Sequence, residues 1–182
     1  VKKVFIVGGS KGIGRELALL MARQGATVWV AARGMGALNN TVDALRKVCD
    51  ESHGCISVDV TDADAVREAA ATVLEAMGGL DVLVCNSGFA VSETFEKTDH
   101  SDFDRMMSVN FYGHVNVVRA FTPHFVQQGS GDICLVSSMM GFLPLYGYTA
   151  YSASKFAVAG FGEALRQEFR LHGVRVGTYF PP

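Results

Sequence analysis

Residues Val4 to Arg23 read VFIVGGSKGIGRELALLMAR. The first four are an apolar run ending in glycine, which reads as a short buried strand. Gly8-Gly9-Ser10-Lys11-Gly12-Ile13-Gly14 comes next, and from Glu16 to Arg23 the apolar Leu17, Leu20 and Met21 recur at helical spacing. Strand, glycine loop and helix in succession are the context a dinucleotide phosphate site needs. Glycines let backbone amides approach a pyrophosphate, and a helix N-terminus favours its negative charge. The spacing is Gly8-x-x-x-Gly12-x-Gly14 rather than the commoner G-x-G-x-x-G, and an ordinary glycine-rich turn is the alternative reading.

The same alternation continues outward from this unit. Ala26 to Ala32 (ATVWVAA) is the expected second strand, and the residue at its end bears on cofactor choice. A nicotinamide site selecting a free 2′-hydroxyl places Asp or Glu there. This chain has Arg33, with Lys11 in the glycine loop. Two cations and no carboxylate fit the 2′-phosphate of NADPH, although either cation alone could equally be a solvated surface residue. Leu38 to Val48 reads as a helix, and residues 33–55 look short for a helix plus its loops. Cys55 to Val60 is strand three, ending in Asp59-Val60, with Asp59 placed to meet an adenine ring. Asp62 is positioned to cap a helix through Val66, Ala69, Val73 and Met77. Leu80 to Cys85 is strand four, closed by Asn86-Ser87-Gly88. Residues 89–100 read as a loop, and one long helix starts at Ser101 or Asp102 and runs through Asn110 to Phe121. Asn110, between Val109 and Phe111, needs hydrogen-bond partners if buried. The alternation predicts a single α/β domain over residues 1–182, a doubly wound parallel sheet with helices on both faces.

Three side chains farther along share one chemical job. Ser138 lies just past the apolar run Ile133 to Val136, Tyr151 lies thirteen residues on, and Lys155 is four beyond that. Tyr151 and Lys155 stand at i and i+4 on a predicted helix and so share a face. An ammonium group there favours phenolate, making the phenol a better proton donor and acceptor near neutral pH. Taken alone, the Tyr-x-x-x-Lys pair is a weak signal; its weight comes from the cofactor loop upstream. The helix continues through Glu163, Leu165 and Phe169, and Val174 to Phe180 is strand six.

Composition narrows the class. Of 182 residues, 49% are hydrophobic and 19% charged, so the chain is globular. A net charge of −2 argues against a nucleic-acid binder. Cys49, Cys55, Cys85 and Cys134 fall singly and read as reduced thiols, with no metal-ligand spacing. No apolar run approaches the ~18 residues of a membrane span, and no signal peptide is expected from these residues. The chain starts almost directly on a strand and stops at Pro181-Pro182, so both ends are expected to be cut short.

Together, Gly8-x-x-x-Gly12-x-Gly14, Asp59-Val60, Asn86-Ser87-Gly88, Asn110, Ser138 and Tyr151-x-x-x-Lys155 resemble the short-chain dehydrogenases/reductases, in family order across essentially the whole chain. The resemblance implies a Rossmann-type fold and a catalytic tetrad of Asn110, Ser138, Tyr151 and Lys155. Tyr151 would be the general acid, Lys155 would hold the nicotinamide ribose, Ser138 would orient the carbonyl, and Asn110 would hold a water of the proton relay. It implies NADPH bound by Gly8, Ser10, Lys11, Gly12, Ile13, Gly14, Arg33, Asp59, Val60, Asn86, Ser87, Gly88, Tyr151, Lys155 and Pro181. Homodimers or homotetramers are the expected assembly.

The stretches CISVDVT (55–61), GFAVSETFE (88–96), FLPLYGYTAYSASKFAVAGFGEAL (142–165) and YFPP (179–182) are similar to the 3-ketodihydrosphingosine reductases. That likeness implies a long-chain ketone substrate at the cytosolic face of the endoplasmic reticulum, with any membrane association through segments outside this sequence. The chain departs from the wider pattern at Val7, Ser87 and Pro182, where Thr, Ala and Gly are usual; Pro182 resembles the sphingolipid branch. The substrate side after Pro182 is expected to be truncated or incompletely ordered. Met139, Met140, Phe142, Leu143, Leu145, Tyr146 and Tyr148 could wall an alkyl chain, or pack into the domain or a subunit interface. Reduction of another ketone (steroid, fatty acyl or small carbonyl) and non-catalytic dinucleotide binding remain the alternatives.

Overall fold

A computed structural model describes residues 1–49 and 52–182. Its frame is a six-stranded, all-parallel sheet: β1 Lys3–Val7, β2 Thr27–Ala32, β3 Gly54–Ser57, β4 Val82–Cys85, β5 Gly131–Val136 and β6 Val174–Tyr179. The spatial order is β3-β2-β1-β4-β5-β6. The chain winds outward from β1 to β3, then returns to the other side of β1 with β4. In register, Val7 pairs with both Ala31 and Cys85, so the carboxyl ends of the three strands open at one edge. That reversal of winding leaves a crevice, the place where doubly wound sheets bind ligands.

The helices α1 Gly12–Arg23 and α2 Met35–Arg46 cover one face, and α3 Ala63–Met77, α5 Gly113–Gln128 and α6 Thr149–Phe169 the other. Ala18, Leu19, Ala22, Leu38, Val42 and Leu45 pack with Val4, Ile6, Val28 and Val30 on the first face. Val66, Val73, Val117, Phe121, Phe125 and Val158 pack with Phe5, Leu83 and Leu135 on the second. Strands buried on both faces read as continuous apolar runs, which is why VFIV and VLVC announce them. Asp62 caps α3 by accepting hydrogen bonds from the Asp64 and Ala65 amides, both at 3.0 Å.

Several boundaries differ from the sequence expectations, strand four for example spanning Val82–Cys85 rather than Leu80 to Cys85. Strand three was expected over Cys55 to Val60 but spans Gly54–Ser57, because its partner β2 ends at Ala32, opposite Ser57. The helix expected over Leu38 to Val48 is α2, Met35–Arg46, which starts earlier because Gly34 takes the extended cap conformation. Residues 50 and 51 of the short 33–55 connection lie outside the described residues. The long helix expected from Ser101 or Asp102 is α4 His100–Met107 and α5, joined through a π-helical turn at Ser108–Tyr112. Asn110 sits inside that turn. Within the predicted 89–100 loop lie a 3₁₀ turn, Phe95–Lys97, and a bridge from Glu93 to Tyr148. Among the described residues no helix is long and apolar enough to cross a membrane.

Candidate active site

A cleft of about 660 Å³ runs along the carboxyl ends of β1, β2, β4 and β5. Its floor is the glycine loop. Gly8 takes a φ of +87°, and a Cβ there would come within 2.7 Å of the Ser87 amide nitrogen. A Cβ on Gly14 would collide with the Gly8 carbonyl oxygen, so glycine is required for the loop to close against its own helix. Lys11, the N-cap of α1, makes no side-chain capping hydrogen bond. The first amides of the helix are therefore available to an anion. Gly8, Ser10, Lys11, Gly12 and Ile13 line the cleft; Gly14 lies behind them.

The second end is formed by Arg33, Asp59 and Val60. Arg33 is exposed just past β2, and its carbonyl accepts a hydrogen bond from Ser57 Oγ at 2.9 Å. One oxygen of Asp59 accepts from the Thr61 amide (3.0 Å) and the Thr61 hydroxyl (2.8 Å). The Thr61 amide, helped by its hydroxyl and the Arg33 charge and opposed by partial burial, holds the Asp59 carboxyl below its ordinary range. Thr61 thus fixes Asp59, a contact that sequence analysis did not anticipate.

At the third end Tyr151 and Lys155 meet the cleft from the first turns of α6, beside Asn86, Ser87, Gly88 and Pro181. Lys155 is buried, its ammonium donates to the Val136 carbonyl at 3.0 Å, and it lies 5.6 Å from the centre of the Tyr151 ring. Burial lowers the Lys155 pKa from 10.5 to about 8. Ser138 lies two residues past the end of β5, and its hydroxyl accepts from the Met140 amide at 3.2 Å, capping the turn Met139–Gly141. Its neighbour Ser137 lines the cleft and donates to the Lys155 carbonyl at 2.8 Å.

Asn110 is fully buried behind this end. Its amide oxygen accepts from Phe89 N (2.9 Å), and its amide nitrogen donates to Phe89 O (2.9 Å) and Ser154 Oγ (3.0 Å). Ser154 in turn donates to the Tyr151 carbonyl at 2.7 Å. A hydrogen-bonded chain therefore joins the loop after β4 to the helix that carries Tyr151. Neither Asn110 nor Ser138 is part of the cleft lining, while Tyr151 and Lys155 are. Sequence reasoning missed Ser137 and Ser154. A serine doublet and the second serine of Tyr151-Ser152-Ala153-Ser154 were visible, but their partners lie 18 and 44 residues away.

A profile of the family described as short chain dehydrogenase matches residues 2–182. The chain belongs to that family. It is 38% identical over 183 residues to a 3-ketodihydrosphingosine reductase of Bos taurus, covering 98% of this chain and 55% of that protein. It spans about half the length of the curated relatives named for this activity. Among solved structures, a carveol dehydrogenase from Mycobacterium avium in complex with NAD superposes with a TM-score of 0.94 at 28% identity, covering 99% of this chain and 70% of that one. An actinorhodin polyketide ketoreductase variant with NADPH superposes with a TM-score of 0.95 at 27% identity, covering 99% and 69%.

Proposed function

We propose that this chain is the catalytic part of an NADPH-dependent ketone reductase whose substrate is the 3-keto group of 3-ketodihydrosphingosine. The observation that carries the reading is convergence: the glycine loop, Arg33 and the Tyr151–Lys155 pair all line one cleft. The residues fit a dinucleotide. Gly8 and Gly14 leave a cradle that side chains would fill, and Lys11 makes no side-chain capping hydrogen bond to α1 beneath it. Lys11 and Arg33, with no carboxylate after β2, suit the 2′-phosphate of NADPH.

The chemistry supplied by bound NADPH is hydride transfer to the carbonyl carbon. Tyr151 donates the proton to the carbonyl oxygen as general acid. Lys155, fixed by the Val136 carbonyl, holds the ribose and places a positive charge beside the phenol. By the family resemblance, Ser138 orients the carbonyl. Asn110 couples Phe89 to the Tyr151 helix through Ser154 and, by the family resemblance, holds a water of the proton relay.

Two things support a long-chain substrate: the relatives named for this activity, and the loop after Ser138. Phe142, Leu143, Leu145 and Tyr146 are 43 to 90% exposed there, whereas Met139, Met140 and Tyr148 are half-buried. Phe89 and Ala90 line the cleft beside Tyr151. By the same resemblance the protein works at the cytosolic face of the endoplasmic reticulum as a homodimer or homotetramer. A second reading, reduction of another ketone, is favoured by the likeness to a carveol dehydrogenase and a polyketide ketoreductase.

The test is NADPH oxidation, followed by absorbance, with 3-ketodihydrosphingosine in mixed micelles, and with NADH and a short-chain ketone as controls. Turnover with NADPH and the long-chain base alone supports both halves of the reading. Equal turnover on the short ketone moves the assignment to the second reading, and NADPH binding without turnover on any ketone leaves only a binding module.

A further inference from the structure

The turn just past β4, Asn86 to Phe89, is held at three points by side chains. Asn86 Nδ2 donates to the Gly8 carbonyl at 3.0 Å, tying the turn to the glycine loop. Asn110 brackets the Phe89 backbone from behind. The third point is His114, whose Nε2 lies 3.1 Å from the Ser87 carbonyl oxygen. Asn110 and His114 are four residues apart, at the π turn and the start of α5, so both reach the same turn from one face.

A carbonyl oxygen only accepts, so His114 Nε2 carries the proton and Nδ1 is the bare nitrogen. His114 is 1% exposed, and Nδ1 has no hydrogen-bond partner among the described residues. Burial, with the charge of Lys155 second, holds the imidazole pKa down at about 3. The ring is therefore a neutral, single-tautomer donor. A buried polar ring with one nitrogen unused is costly to keep as mere filling. The hydrogen bond it does make is to Ser87, which lines the cleft and whose amide abuts Gly8.

We propose that His114 is a positioning residue for the dinucleotide: by fixing the Ser87 carbonyl it sets the wall of the cleft that faces the glycine loop. This rests on the dinucleotide reading above. Chain geometry gives the role a specific requirement, a donor at the reach of Nε2. Glutamine meets that requirement, whereas asparagine, one methylene shorter, and leucine, with no donor, do not.

The experiment is the dissociation constant for NADPH, measured by fluorescence on the purified chain and on His114→Gln, His114→Asn and His114→Leu, with melting temperatures alongside. Binding by His114→Gln within about threefold of wild type, and about tenfold weaker binding by His114→Asn and His114→Leu at unchanged melting temperature, is the expected result. Should His114→Leu fail to fold, the glutamine and asparagine pair carries the test, because the proposal requires them to differ. Equal affinity of those two variants, or wild-type affinity in a folded His114→Leu, overturns it. Absence of NADPH binding by the wild-type chain overturns the dinucleotide reading itself, whereas binding without ketone turnover leaves this test intact.

Discussion

At the residue scale, Lys155 concentrates the site's electrostatic cost. Its pKa falls from 10.5 to about 8 because the charged form is buried. Each pKa unit corresponds to about 1.4 kcal/mol, so below pH 8 the buried charge costs the fold on the order of 3 kcal/mol. Between about pH 8 and pH 10.5 the unfolded chain holds a proton that the folded one lacks, and stability from this group rises with pH through that window. Lys155→Met removes the charge. Urea unfolding should show the variant more stable than wild type at pH 7, with the gap closing by about pH 10.5; a gap that stays constant with pH would show that burial of the charge is not its source. Tyr151→Phe tests the chemistry at the same site. Loss of the acid should lower kcat by about 10²-fold or more while NADPH affinity stays within about threefold, because the ring remains and only the hydroxyl is lost. Retained turnover with cofactor bound would exclude Tyr151 as the acid.

At the element scale, α6 holds Tyr151 and Lys155 in the cleft by lying close on β6. Gly162 makes that approach possible, since a Cβ there would collide with Thr178 Oγ1 and lie 3.2 Å from Leu135 Cδ1. Gly160, two residues earlier on the same helix, faces open space. The same substitution should therefore have opposite signs. Gly162→Ala should destabilise by about 1–3 kcal/mol through overpacking, and Gly160→Ala should stabilise by up to ~1 kcal/mol through helix propensity. Chemical denaturation of both settles it; two stabilising changes would mean α6 can move off the sheet freely. The π turn at Ser108–Tyr112 belongs to this scale too. It turns Asn110 into the interior, where all three of its hydrogen bonds are made.

At the scale of the whole molecule, the exposed apolar loop from Phe142 to Tyr146, with Phe142 and Phe180 paired edge-on at 5.5 Å, leaves apolar area in water beside the reacting end. Two occupants suit it, a substrate chain or a second subunit, and they separate experimentally. In the substrate case, kcat/KM should rise with ketone chain length, and Tyr146→Ser with Leu143→Ser should flatten that rise without changing the mass measured by light scattering. A variant that becomes monomeric while keeping its chain-length preference would assign the loop to assembly instead.

How much was legible in the sequence depends on the range of each interaction. Strand–glycine–helix at Val4 to Arg23, the continuous apolar strands and the Tyr151–Lys155 spacing are local patterns, and periodicity alone reads them. Their sum in family order was enough for the doubly wound sheet. The ends of β3 and the break at Asn110 were not readable, because β3 stops where its neighbour stops and the π turn answers to partners far along the chain. Local patterns along the chain carry the alternation of elements, the buried faces and the residue types available for the chemistry. The strand order that opens the cleft, the inclusion of Ser137 in its lining, and the meeting of Asn110 and His114 with residues 21 and 27 positions away emerge from packing in three dimensions. A hydrogen-bond partner for a buried polar group is chosen by packing in space, and no local spacing records it.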